Sequence, residues 1–194
     1  MKKGANRYGD SDCGTVGYHA YPVRIGGKEM NILALDVGTT ESGYCLMDEK
    51  TYQPYSFGKV ANEELLKIVQ TEDYGKMVYE AFASYGMAIG QSTIKSIEWN
   101  GRFIQCAINR DIPVFPVFRK EEKINICGSM KAKDANIRQA LIDRFAFFDF
   151  KNGKGTKLNQ DFFYGFHADV WTSFAVGVTY LDRQRKGFSE EDEL

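Results

Sequence analysis

The chain has 194 residues, of which 43% are hydrophobic and 26% charged, and these proportions are typical of one globular domain with a sizeable core. Its formal net charge of −1 argues against an overall basic nucleic-acid-binding protein but leaves room for a local basic patch. The N-terminus has no apolar signal segment, and no stretch approaches the roughly 20 apolar residues of a membrane span, so we expect a cytoplasmic protein.

The two ends of the chain differ in composition from its middle. Residues 1–29 are rich in Gly, Tyr and small polar residues, and we expect a partly disordered extension with one strand near residues 21–25. Residues 187–194 form an acidic tail that we also expect to be disordered. The folded domain is therefore predicted over residues 30–186. The four cysteines have no CxxC spacing, which favours reduced thiols.

The segment 31–48 organises the rest of the chain. Residues 32–35 are an unbroken apolar run, which is typical of a strand buried on both faces. Asp36 stands at its end, and Gly38 permits a tight turn into a second strand over residues 43–47. An acid at a rigid strand end, beside an open turn, is suited to hold a metal ion or a phosphate. The alternative is an ordinary hairpin with a solvated aspartate.

A second acid is placed in the same way. Residues 55–60 are predicted as a third strand of an antiparallel meander, and Asn62 is predicted to begin a helix that ends near Gln70. Residues 77–82 then form a short apolar strand that carries Glu80 near its end.

A long helix is predicted over residues 86–110. Its apolar and glycine positions recur at spacings of three and four residues: Met87, Gly90, Ile94, Ile97, Gly101, Ile104 and Ile108. We expect one edge of this stripe to lie on the sheet and the other to be available for a helix-to-helix contact in a dimer.

Residues 112–118 are predicted as a fifth strand whose prolines mark a sheet edge or the strand ends. A short helix over residues 119–127 and a helix reaching Phe148 follow, the latter with Ile137, Leu141, Phe145 and Phe148 toward the core. Three basic residues cluster near the start of the second helix, where backbone amides and positive side chains can bind phosphate together: Lys131, Lys133 and Arg138. The alternative is a solvated charged surface.

The last helix is predicted from about Ala168 to Arg185, with Asp169 in its first turn and His167 just before it. An aspartate at a helix start is usually a capping residue, so a catalytic role for Asp169 competes with that role. If Asp36, Glu80 and Asp169 converge, their mutual repulsion is tolerable mainly when a divalent cation neutralises it. Oxygen ligands of this kind suit Mg²⁺, with Mn²⁺ as a substitute, and a pair of such ions supports phosphodiester hydrolysis.

The predicted order βββαβαβααα is an α/β arrangement with a mixed five-stranded sheet and helices on both faces. Four segments, in this order, resemble the RuvC family of Holliday junction resolvases: LALDVGTTESGY (33–44), VYEAF (78–82), GSMKAKDANIRQAL (128–141), and HAD followed by FAVGVT (167–179). The resemblance covers about residues 30–185. It implies an RNase H-like nuclease domain, a homodimer, and Mg²⁺-dependent paired nicking of four-way DNA junctions. It also implies that Asp36, Glu80 and Asp169 are the metal ligands.

One part of the family pattern is altered here. The family usually carries Asp or His followed by Asp three residues later, whereas His167 and Asp169 are two apart and Thr172 follows Asp169 by three. Either His167 is the fourth member of the site, or Thr172 marks a lost ligand. Two further interpretations stay open. One is an ATP-binding protein of the sugar kinase and actin class, and the other is an RNase H-like protein that acts on flaps or RNA hybrids or has lost activity.

Overall fold

The computed structural model describes residues 31–84, 86, 88–148, 151–167 and 169–187. The expected N-terminal extension with its strand near residues 21–25, and the tail over 188–194, lie outside the described residues.

The order of elements matches the predicted one. Five strands are β1 (Asn31–Asp36), β2 (Glu41–Asp48), β3 (Pro54–Ala61), β4 (Lys76–Ala81) and β5 (Val114–Phe118). Five helices are α1 (Asn62–Thr71), α2 (Gln91–Ile108), α3 (Arg119–Cys127), α4 (Asp134–Phe145) and α5 (Val170–Lys186). None of the helices in the described part of the chain is long and apolar enough to cross a membrane.

The strands form one mixed sheet in the order β3-β2-β1-β4-β5. The first three are antiparallel neighbours, whereas β1 pairs with β4, and β4 with β5, in parallel. Strand β1 is therefore central, and its residues Ile32 to Leu35 have no exposed surface, as the apolar run predicted. The proline-containing β5 lies at the sheet edge, where a missing amide donor is tolerated.

Alternate residues of the strands face two separate cores. Ile32 and Ala34 of β1, with Val78 of β4, pack against α5. Leu33 and Leu35 point to the other face, in the core that contains residues of α1 and α2. By the same alternation, Asp36 and Glu80 lie on the α5 face, because each follows a residue of that face by two.

Most of the apolar stripe of α2 lies outside the core, although Ile104, at one edge of the stripe, packs against the core as expected. The buried residues of α2 are instead Ser96, Asn100, Phe103 and Ala107. In the stripe, Ile94, Ile97 and Ile108 are 46%, 40% and 51% exposed, and a Cβ added at Gly101 would meet nothing within 4 Å. Phe103 and Ala107 are fully buried on the opposite face of α2, so the isoleucines at 94, 97 and 108 face outward.

Helix α4 ends at Phe145, three residues earlier than predicted, and Phe148 is 65% exposed instead of facing the core. The helix ends there because the side chain of Asp161 accepts the next backbone amides. The amides of Phe147 and Phe148 donate to the buried carboxylate of Asp161, at 2.8 and 3.1 Å, so they make no helical hydrogen bonds.

Candidate active site

The sequence-predicted acids meet at one level of the sheet. Asp36, the last residue of β1, pairs with Gly43 of β2, which in turn pairs with Lys59 of β3. On the other side of β1, Leu35 pairs with Tyr79, so Glu80 stands next to Asp36 one step along. Because both acids occupy α5-facing positions, they project toward the same side at neighbouring strand ends.

Asp169, at the N-terminus of α5, packs onto the sheet at the level of Asp36, Gly43 and Lys59. A Cβ added at Gly43 would lie 2.6 Å from the carbonyl oxygen of Asp169 and 2.9 Å from its Cβ. Gly43 therefore permits the backbone of Asp169 to lie directly on β2. Asp169 occupies the N-cap position, but its side chain makes no capping hydrogen bond. Its Oδ2 instead lies 2.9 Å from Nζ of Lys59, so the carboxylate forms an ion pair with β3.

The electrostatics of Asp36 reflect this convergence. Burial raises the pKa of its carboxyl to about 7, and the negative charges of Glu80 and Asp169 contribute to that rise. The positive charge of Arg119 and a hydrogen bond from Thr172 act in the opposite direction. Asp36 thus interacts with both other predicted acids, and each like charge makes ionisation harder.

Glu80 lies in a comparable environment. Burial raises the pKa of its carboxyl, the charges of Arg119 and Lys123 lower it, and the charge of Asp134 raises it. Both basic residues belong to α3, the helix that begins immediately after β5. The C-terminal ends of the parallel strands β4 and β5 thereby bring α3 to the acids.

Arg119 is central to this arrangement. Its Nη1 donates to Oε2 of Glu122 at 2.5 Å, and its Nη2 donates to Asp134. It lines two cavities, one that also contains Asp169 and Thr172 and another that contains Glu80. The guanidinium therefore stands between the two halves of the acidic site.

Glu122 is a further acid at the site, and its side chain has no exposed surface. Burial raises the pKa of its carboxyl to about 9, and the charges of Glu80 and Asp36 add to the rise. Its Oε1 has no hydrogen-bond partner among the described residues. Four carboxylates thus contribute to one electrostatic cluster.

The remaining predicted residues separate into two groups. Arg138 lines the cavity with Asp169 and Thr172, and its guanidinium lies over the ring of Trp171 with 5.4 Å to the centroid. Lys131 and Lys133 are exposed beside the start of α4. His167 is also exposed, and nothing in the described contacts joins its imidazole to the acids.

The donor set fits a hard divalent cation in its chemistry. The clustered groups are carboxylates, and the charges of Glu80 and Asp169 add to the effect of burial in raising the pKa of Asp36, a repulsion that a cation would relieve. Within the described ranges, however, no three Asp, Glu, His or Cys side chains lie close enough to hold one ion together. The strand ends and the start of α5 nevertheless place Asp36, Glu80 and Asp169 in neighbouring positions.

The sequence prediction did not include three residues of this site: Lys59, Arg119 and Glu122. Lys59 carried no local signal, because only the strand register places it opposite Gly43. Arg119 and Glu122 did carry a local signal. They directly follow β5, and the carboxyl ends of neighbouring parallel strands are where ligand sites of open α/β sheets form.

Comparisons with known proteins give similarity in structure alone. No family model and no curated protein matches the sequence. Thermus thermophilus RuvC superposes with a TM-score of 0.60 at 12% identity, over 81% of this chain and 97% of that one. The same protein in complex with a Holliday junction substrate gives 0.59 at 12% identity, over 82% and 97%. The yeast mitochondrial Holliday junction resolvase Ydc2 gives 0.53 at 13% identity, over 84% and 81%. At such identities the comparison establishes architecture only, and this chain has the RNase H-like α/β fold of the RuvC and Ydc2 resolvases.

Proposed function

We propose that this protein is a Mg²⁺-dependent, structure-selective endodeoxyribonuclease that resolves four-way DNA junctions by paired nicks. The observation that carries the proposal is the convergence of Asp36, Glu80 and Asp169 on one face of the sheet, where Asp36 interacts with both other acids. The fold supports it, because a protein of the same architecture has been solved with a Holliday junction substrate.

In this proposal Asp36, Glu80 and Asp169 hold the metal, each from a different element. Bound Mg²⁺ supplies the activation of a water and the stabilisation of the leaving oxygen in phosphodiester hydrolysis. The chain itself supplies rigid placement. Asp36 ends the fully buried run of β1, Glu80 follows the buried Met77 and Val78 of β4, and Asp169 is held by its contact with Gly43.

Positive side chains surround the acids and would bind the DNA backbone. Arg119 and Arg138 line the cavity beside Asp169, and Lys120 and Lys123 line the one beside Glu80. Phosphates bound there would lie next to the acids. The exposed Lys131 and Lys133 extend this surface at the start of α4, consistent with a local basic patch in a chain of net charge −1.

In this proposal the protein acts as a homodimer. A four-way junction has two equivalent strands to cut, and a closed two-fold assembly supplies two related active sites. The outward stripe of α2 offers a contact surface, because Ile94, Ile97 and Ile108 are each at least 40% exposed. With Gly101 among them, two such helices can approach closely.

The test is nicking of a synthetic four-way junction, with linear duplex, flap and RNA–DNA hybrid substrates alongside. We expect Mg²⁺- or Mn²⁺-dependent cuts in the junction. Asp36→Asn and Glu80→Gln should each reduce the rate at least about 100-fold, because even outer partners of metal ligands affect activity 10- to 100-fold. Junction binding should persist, since removing an acid does not weaken phosphate contacts.

Glu63→Gln is the matched control, because Glu63 is an exposed acid on α1. Near-normal nicking by Asp36→Asn or Glu80→Gln would refute the assignment of the metal ligands. Preference for flaps or hybrids over junctions would keep the nuclease and change its substrate. ATP-dependent phosphorylation of sugars without nicking would overturn the proposal in favour of the kinase class.

A further inference from the structure

We propose that Phe147, Phe148 and the hairpin over residues 153–163 form a second DNA-binding surface, which stacks on unstacked bases and binds the adjoining phosphates. This inference rests on the DNA-directed function proposed above and adds a contact outside the acidic site. Branched DNA offers such bases at the branch point, where the continuous stacking of the arms is interrupted. The segment that carries this surface lies between α4 and α5.

The first support is a pair of neighbouring phenylalanines that the fold exposes. Phe147 and Phe148 are 74% and 65% exposed, and their ring centroids lie 6.4 Å apart. Leu158, on the hairpin, is 99% exposed. Single exposed apolar side chains are ordinary, whereas two adjacent aromatic rings with an exposed leucine on the same segment mark a surface for a partner.

The second support is the rigid backbone beneath these rings. Asp161 is 3% exposed, and its carboxylate accepts hydrogen bonds from the amides of Phe147 at 2.8 Å, Phe148 at 3.1 Å and Phe162 at 2.7 Å. The ring of Phe162 in turn stacks on Phe145, the last residue of α4, with 5.2 Å between centroids. Rings on an ordered backbone lose little conformational entropy when they bind, since each has only two side-chain torsions.

The third support is the positive charge of the hairpin. Gly155 and Gln160 form an antiparallel bridge, so the hairpin is ordered. Residues 151–160 contain three lysines and no acidic residue. Lys154 and Lys157 form no salt bridge with any described residue, so both ammonium groups are available to phosphate.

The hairpin adjoins the proposed active site. Phe163, at its end, is fully buried and packs on Trp171 with 4.5 Å between ring centroids. Trp171 lines the cavity that contains Asp169, and the guanidinium of Arg138 lies over its ring. The base of the hairpin therefore contacts a wall of the cavity in which we place the DNA backbone.

This combination of groups favours nucleic acid over another copy of the chain. Proteins bind unstacked nucleotides by placing bases on aromatic rings and phosphates on positive side chains, which are the two kinds of group present here. A two-fold contact between copies would bury the rings but would bring the like-charged lysines of both copies together.

The test measures binding of a four-way junction and of a linear duplex in EDTA, so that nicking plays no part. Phe147→Leu with Phe148→Leu keeps apolar side chains and removes both ring faces, whereas tyrosine at both positions keeps the rings. We expect the leucine variant to bind the junction at least about fivefold more weakly, the lower end of what stacking on one base contributes. Its duplex affinity, and both affinities of the tyrosine variant, should match wild type.

Crosslinking gives a readout that altered folding does not imitate. A 5-iodouracil base at the branch point should, on irradiation, crosslink to the peptide that contains Phe147 and Phe148, and the crosslink should be lost in the leucine variant. Both rings are exposed, so the variants should fold, as urea unfolding will verify.

The lysines supply a second variant that does not touch the rings. Lys154→Gln with Lys157→Gln should lower the slope of log junction affinity against log salt by roughly one unit per lysine. Lys67→Gln, at an exposed lysine of α1, is the matched control and should leave the slope unchanged. If the leucine variant does not fold, an unchanged slope in the double lysine variant would overturn the inference.

Junction affinity of a folded leucine variant equal to wild type would overturn this second surface and leave the proposed nuclease intact. Loss of self-association by that variant in sedimentation, with DNA binding unchanged, would overturn it in favour of a contact between copies. A wild-type protein that neither binds nor nicks junctions would overturn both proposals.

Discussion

Replacing Gly43 by alanine tests whether the contact between β2 and α5 sets the active site. The new Cβ would lie 2.6 Å from the carbonyl oxygen of Asp169 and 2.9 Å from both its carbonyl carbon and its Cβ. Two of these three atoms belong to the backbone of the first turn of α5, so a simple side-chain rotation cannot relieve the clash.

The size of the effect follows from that overlap. Ordinary contacts begin near 3.4 Å, so the Asp169 carbonyl must move by about 0.8 Å, the difference between 3.4 and 2.6 Å. Overpacking of this kind costs about 1–3 kcal/mol, and the reduced entropy of the unfolded chain returns about 0.4–1 kcal/mol. Because a misplacement of about 1 Å can cost roughly 100-fold in rate, we expect nicking to fall about 10- to 100-fold.

The assay combines single-turnover nicking of a four-way junction with urea unfolding of the same preparations. Gly58→Ala on β3 is the control, since its Cβ would meet only the Tyr44 side chain, at 3.3 Å. That variant should nick normally. If Gly43→Ala loses stability but nicks at the wild-type rate per folded molecule, Asp169 has no role in the chemistry. If Gly43→Ala loses neither stability nor nicking activity, Asp169 does not lie in close contact with β2.

Three further predictions concern other parts of the molecule. The first concerns three basic residues: Lys131, Lys133 and Arg138. Alanine at any one of these positions should weaken binding to all junction sequences and lower the slope of log affinity against log salt by roughly one unit. An unchanged slope in the triple variant would show that these side chains only face solvent. Asp182→Asn should lower the free energy of unfolding by about 2 kcal/mol at pH 7, because burial, which raises the pKa of Asp182, is outweighed by hydrogen bonds from Arg144, Tyr52 and Asn125, which lower it to about 2. This stabilisation is complete above the unfolded pKa of about 3.9 and is lost as pH falls toward 2. In urea unfolding, the free energies of unfolding of wild type and Asp182→Asn should therefore converge at low pH. A difference that stays constant with pH would contradict this linkage. Gly101→Trp should dissociate the proposed dimer in sedimentation experiments without changing the circular dichroism, because a side chain there meets open space. Lys95→Trp, on another exposed face of α2, should leave the oligomeric state unchanged. A Gly101→Trp protein that dimerises as tightly as wild type would exclude the stripe as the contact surface.

The sequence was informative where one element alone determines the environment of a residue. Four consecutive apolar residues before Asp36 require a strand covered on both faces, and the short strand ending near Glu80 has the same form. Their adjacency then follows from parallel pairing of β1 with β4. This is why the order of elements and the first two acids were predictable from pattern.

The sequence was misleading where two patterns share one element. Helix α2 carries the isoleucine and glycine stripe and also a second face with Phe103 and Ala107. Periodicity identifies both faces as candidates and cannot rank them, because the ranking depends on the surface that the helix meets. Ser96 and Asn100 next to Phe103 made that face look polar, yet both side chains are buried.

The electrostatic centre of the site was the part least accessible to pattern. Arg119 and Glu122 read locally as charged residues in the first turn of a surface helix, and the acid there suits the helix dipole as well as any catalytic role. Their role changes because α3 packs against α4 and α5, so that Glu122 is buried and lies within electrostatic range of Glu80. Burial raises the pKa of Glu122 in this i, i+3 ion pair, and the charges of two other acids, Glu80 and Asp36, add to the rise. The chemistry of these residues therefore depends on tertiary placement, which the charges and spacing of the α3 sequence do not reveal.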